Sequence, residues 1–199
     1  MKNKVTKLLS AALLLGAVSS LTVACKSKKA TPIEKQTGAT EITVPFSGKD
    51  FQTDKETFRA RSSGNSPDMI TAKKIGLQNA KSEMAGMIQT TMKKVTEQYT
   101  NQRQVGSTQE FNNKFEELAR EVTNQTLVDV AVIGEKIFKE TNNTYTYWVA
   151  IEANKKSILE GVEKAIGQNA KIAQDYDKKK FEEIFNAEMD KLAKERAGQ

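Results

Sequence analysis

The chain has 199 residues, one cysteine (Cys25) and no histidine. A lone cysteine can act as a nucleophile, bind a metal, pair in a disulfide or carry a lipid. A disulfide needs a second cysteine, and the chain has none. Zinc centres draw on several Cys or His ligands. A cysteine nucleophile normally needs a base, most often His. The Cys–His, Ser–His–Asp and histidine-based zinc hydrolase arrangements are therefore excluded. Carboxylates remain for acid–base work, and the close pairs are Asp54/Glu56, Glu116/Glu117, Asp175/Asp177 and Glu182/Glu183. Each falls on a polar helix face or a loop, often beside lysine, as solvated surface charge does. Asp175-Tyr176-Asp177 runs into three lysines and lacks the ligands and glycine of a calcium loop. No P-loop, dinucleotide-binding or nucleophile-elbow glycine pattern occurs. The expectation is a protein that is not an enzyme, with no catalytic residues, no cofactor and no metal.

The residues before Cys25 indicate the fourth use. Met1–Lys7 carries Lys2, Lys4 and Lys7 and no acid, and Leu8–Val18 is almost wholly apolar. Small residues follow, ending at Ala24. A basic start, a short apolar run and a small-residue end describe a secretory signal peptide. The run is shorter than the about 20 residues that a spanning helix needs. A cysteine at the first mature position is what bacterial lipoprotein processing requires. Thr22-Val23-Ala24-Cys25 resembles a lipobox, with Thr22 where Leu is usual and Leu21 one step early. The expected organisation is a signal peptide over 1–24, a lipidated Cys25 with a flexible tether over 25–38, and a single domain over 39–199. The tether is rich in Lys, Ser and Thr, contains Pro32 and has no periodic pattern.

The net charge of +6 belongs to the anchor region. Of the 31 lysines and arginines, seven precede Gln36 and are opposed there by Glu34 alone; from Gln36 onward 24 basic residues face 24 acidic ones. A nucleic-acid binder carries its basic face on the folded domain, so no nucleic-acid partner is expected. Lysines beside an acyl anchor instead favour anionic head groups.

The domain reads as α+β. Glu41–Phe46 is a short β-rich run in which Pro45 removes a ladder donor, an edge strand at most. Ser47–Lys55 is a polar loop. Glu56–Ser62 alternates, with Phe58 and Ala60 on one side, and predicts a half-buried strand. Ser66-Pro67-Asp68 is a helix start, with Ser66 the expected cap and Pro67 at the first helical position. A long helix is predicted to about Gln102. Leu77, Ala80, Met84, Met87, Ile88, Thr91, Val95 and Tyr99 share one side, and Ala72, Gly76 and Ala80 lie four apart as for close packing on a sheet or helix. Ser107 and Glu110 fit a capping box before the stripe Phe111, Phe115, Leu118, Val122. Thr126–Ile133 is β-branched and apolar and predicts a central strand continuing past Gly134. Thr141–Thr144 is a turn, and Tyr145–Ile151 the antiparallel partner. Asn154 caps a helix with Ile158, Leu159, Val162 and Ile166 inward, and Lys171–Ala193 is predicted as one further helix.

Two features admit a binding role. Met84, Met87 and Met92 form a methionine stripe, and Trp148 lies opposite Tyr147 on its strand. Core and sheet packing also account for them. Met84, Met87 and Trp148 are accordingly candidate contacts for a small apolar ligand, a glycan or a partner. The order of the lipobox, a segment with Pro45-Phe46-Ser47-Gly48, then Phe58-Arg59-Ala60-Arg61, Gly64-Asn65-Ser66-Pro67-Asp68, Thr71-Ala72-Lys73-Lys74 with Asn79-Ala80, and Tyr147-Trp148-Val149-Ala150-Ile151 resembles the "LPP-twenty" family of small bacterial outer-membrane lipoproteins. The resemblance implies a small antiparallel sheet packed against a long helix, with additional C-terminal helices, and attachment to the outer membrane. It implies no catalytic residues. The expected partners are a membrane, through the lipid anchor, and another envelope component. The membrane face and the oligomeric state are left open.

Overall fold

The computed structural model describes residues 42–103 and 107–197; Cys25, the signal segment and the tether lie outside the described residues. A 3-10 turn at Lys49–Phe51 leads to β1 (Thr57–Ser66), α1 (Met69–Gln102), α2 (Thr108–Val128), β2 (Ala131–Lys139), β3 (Tyr145–Asn154), α3 (Lys155–Gly167), α4 (Ala170–Asp175) and α5 (Lys178–Ala197). The class is α+β, as the periodicities predict. The strands form an antiparallel sheet in the order β1-β3-β2.

Alternation decides which side of each strand is buried. Phe58 and Ala60 on β1 and Tyr147, Val149 and Ile151 on β3 are buried together on the α1 side. The β2–β3 turn is closed by Glu140 N–H donating to the Thr144 carbonyl (2.9 Å) and Asn143 N–H to the Glu140 carbonyl (3.1 Å). Asn143 takes the left-handed conformation (φ 62°) that this three-residue hairpin loop requires.

The long helix lies almost on the sheet backbone. A Cβ on Gly64 of β1 would stand 2.4 Å from both the Ala72 carbonyl oxygen and the Gly76 nitrogen. A Cβ on Gly76 would meet the Tyr147 ring at 2.9 Å. The stripe Ala72, Gly76, Ala80 is therefore the contact surface, and all three are buried. Asn79 Nδ2 donates to the Ser63 carbonyl at 3.0 Å, tying helix to strand beside it. Beyond the sheet, α1 continues into a helical layer with α2, α3 and α5. Tyr99 stacks on Phe111 (5.7 Å) and meets Phe181 edge-on (5.8 Å), while Phe115 lies 5.0 Å from Phe181. Aromatic pairs at these spacings add to the area they bury.

Five local expectations are corrected. Ile42–Phe46 is not a strand: it ends in a turn at Pro45–Phe46. Ser66 does not cap α1. It is the last ladder residue of β1, opposite Tyr145, and Asp68 caps instead, accepting from Thr71 N–H at 2.7 Å. Thr126–Val128 ends α2 rather than opening a strand; within the helix the Thr123 and Thr126 hydroxyls donate to the Ala119 and Val122 carbonyls (2.7 and 2.8 Å). The strand that follows, β2, is an edge, and β3 is central. The predicted helix over 171–193 is two helices. The Tyr99 hydroxyl accepts from Asp177 N–H (2.6 Å) and donates to the Asp175 carbonyl (2.7 Å), and Asp177 Oδ1 accepts from Lys180 N–H (3.0 Å) to start α5.

Gly64→Ala sets a new methyl against backbone atoms that cannot swing aside, and should cost about 3 kcal/mol by urea unfolding. Gly86, inside α1 with nothing within 4 Å of a Cβ, gives the opposite sign. Gly86→Ala should stabilise by about 0.5–1 kcal/mol.

Candidate functional site

The sheet face away from α1 is where the chain enters the body. Cross-strand register groups Arg61, Ala150 and Gly134 on that face, next to the rows Ser63, Trp148, Lys136 and Arg59, Glu152. The Phe46 ring lies on Gly134, where a Cβ would come within 2.6 Å of it. Phe51 packs against Phe46 at 4.9 Å, and Lys136 Nζ sits 5.7 Å from the Phe46 ring centre. Arg61 Nη1 donates to the Phe46 carbonyl at 2.8 Å. Phe46 itself has φ 61°, an uncommon conformation for a bulky residue, and it persists because these contacts surround it.

A polar latch continues the strap. The Thr53 hydroxyl accepts from Arg59 N–H (2.9 Å) and lies 3.1 Å from the Arg59 carbonyl, extending the open edge of β1 by one side chain. The Arg59 guanidinium bonds Asp54 Oδ2 (2.7 Å), the Gln52 carbonyl (2.9 Å) and Glu152 Oε2 (3.1 Å). Asp54 Oδ1 accepts from Glu56 N–H and Thr57 N–H, both at 2.8 Å. Burial works to raise the Asp54 carboxyl, but these amides and Arg59 outweigh it and hold the carboxyl below its ordinary value. The bonds of the latch run between the segment 52–54 and β1, so the arrangement fixes a chain segment.

The residues proposed as ligand contacts are dispersed. Met84 is fully buried and Met87 nearly so, both within the core. The Met87 sulfur lies 3.9 Å from the Thr53 hydroxyl. Trp148 is half-buried on the other face of the sheet, so the structure does not bring it together with the methionines. A groove of about 300 Å³ between α1 and α2 is lined by residues that include Met92, Thr96, Glu97 and Asn112, and a cleft of about 670 Å³ between α2, the sheet end and α3 by residues that include Gln125, Asp129, Ser157 and Lys164. Neither includes Met84, Met87 or Trp148, but Met87 lines a third groove of about 440 Å³ between α1 and α5, with residues that include Thr90, Lys94, Glu188 and Lys191. Of the carboxylate pairs, Asp54 belongs to the latch, and the Asp177 carboxylate pairs with Arg103 at 2.6 Å. Sequence reasoning read 47–55 as a plain polar loop and missed Phe46, Thr53 and Arg59 as a unit. The available signals were an aromatic after Pro45 and a glycine interrupting the apolar run of β2.

Comparisons with known protein families, with curated proteins and with solved structures find no match to this chain.

Gly134→Ala should displace the Phe46 ring, cost about 1–3 kcal/mol and open residues 43–52 to limited proteolysis. The Asp54 shift also has a pH signature. A depressed folded-state value means its contribution is complete above the ordinary 3.8 and is lost as pH falls below that through the folded value. Asp54→Asn should therefore unfold at lower urea than wild type at pH 6, with the gap narrowing below pH 3.8.

Proposed function

We propose that this chain is a lipoprotein of the bacterial cell envelope, held in the outer membrane by acyl groups on Cys25. Its body acts by binding or supporting another envelope component rather than by catalysis. The observation that carries this reading is the sequence Thr22-Val23-Ala24-Cys25 after the apolar run Leu8–Val18. The resemblance to the "LPP-twenty" lipoproteins supports the same location. The lysines next to Cys25 would add about 1 kcal/mol each on an anionic leaflet, and the charge-balanced body fits a tethered domain that makes its contacts by shape.

The strap supports an anchored role on physical grounds. Any pull on a lipid-tethered domain enters where the tether meets the fold. In this chain that segment is pinned by a ring on Gly134, by Phe51 and by the Arg59 and Arg61 guanidinium groups.

Intact mass of the protein isolated from membranes tests the reading. A chain beginning at Cys25 should carry a diacylglycerol-plus-acyl increment, and Cys25→Ala should lose both the increment and the membrane fraction. An unmodified chain in the soluble fraction would overturn it.

A further inference from the structure

β2 is paired on one side only, to β3, and it presents Ile137 and Phe138 at 46% and 44% exposure. Its free main-chain groups can be located from the hairpin. Glu140 and Thr144 form a hydrogen-bonded pair, and antiparallel pairs alternate. Counting back, Lys139, Ile137 and Glu135 are in non-hydrogen-bonded pairs with β3, so their N–H and C=O groups point to the open edge. The side chains of the same three residues share the α1 face, where Glu135 Oε2 accepts from the Tyr147 hydroxyl (2.8 Å) and holds Lys73 (3.1 Å). Among the described residues no further strand pairs with that edge.

We propose that this edge binds a second copy of the chain, the two β2 strands pairing antiparallel about a two-fold axis at Ile137. The segment Glu135-Lys136-Ile137-Phe138-Lys139 is complementary to itself in that register. Ile137 faces its own copy through outward amide and carbonyl groups. Glu135 faces Lys139 twice, on the same sheet face and again through outward groups. Lys136 faces Phe138 on the other side. An axis one residue earlier would set Lys136 against Lys136, and one two residues earlier Glu135 against Glu135; like charges directly opposite are destabilising. The arrangement is an isologous strand addition that extends the three-stranded sheet across both copies. Lysines on an edge ordinarily discourage pairing. Here the outward-facing Lys139 meets a carboxylate instead. The inference does not rest on the anchor: mass reads Cys25, whereas association reads β2.

The test is sedimentation of the full chain, purified in mild detergent, at several concentrations and ionic strengths. Wild type should be a dimer whose dissociation constant rises with salt. Lys139→Glu, at an exposed side chain, sets Glu against Glu twice and should weaken the dimer roughly tenfold. Ile137→Lys should do the same by placing lysine on the axis. Glu135→Lys combined with Lys139→Glu should restore association. A monomeric wild type overturns the proposal, as does a dimer indifferent to Lys139→Glu and Ile137→Lys.

Discussion

At Gly64 and Gly76 the long helix and the sheet meet backbone to backbone. Gly64 on β1 and Gly76 on α1 have no side chains because none would fit: the helix and strand stand where Cβ atoms would be. Contact at this range places Ala72, Gly76 and Ala80 in one line along the sheet, and the line fixes the direction of a 34-residue helix. Everything else is arranged along that helix. Its first half covers the buried face of the sheet. Its second half carries Met92, Val95 and Tyr99 into the layer formed with α2 and α5. The Tyr99 hydroxyl, bonded to both Asp175 and Asp177, then sets the break between the last two helices.

With one sheet face committed to α1, the other face and the outer edge of β2 become available. The other face is occupied by the entering chain, whose Phe46 ring uses the space left by Gly134. The same device thus appears on both sides of the sheet, a glycine making room for a neighbour. On the helix side it brings backbone close, and on the outer side it admits an aromatic ring. Among the described residues nothing pairs with the outer edge of β2, where the proposed two-fold would set Glu135 against Lys139. On the proposed reading, such a body would be tethered at its pinned entry and free to associate through the β2 edge.

Sequence periodicity carried the architecture well where a side chain's environment repeats. The α1 stripe, the Phe111–Val122 stripe and the Tyr147–Val149–Ile151 alternation were legible because each buries one face over several turns or pleats. It failed where context overrides residue type. Thr126–Val128 has strand composition, yet it closes α2, with the Thr126 hydroxyl turned back to the Val122 carbonyl. Ser66 is a good cap by type, but the ladder to Tyr145 claims it first. The strap was illegible for a similar reason: Phe46, Thr53, Arg59 and Gly134 belong to three segments, and only tertiary contact assembles them. The anchor reading stands on Cys25 and its neighbours; of the methionines singled out for binding, Met84 lies in the core and Met87 at the floor of the groove between α1 and α5.

If the Gly64–Gly76 contact organises the fold, α1 and the sheet cannot open separately. Native-state hydrogen exchange under increasing urea measures this directly. The account predicts that amides of β3 and of α1 near Gly76 and Ala80 exchange only through global unfolding, with the same free energy and the same urea dependence. Amides around Gly76 that exchange through a smaller opening, while β3 stays protected, would contradict it.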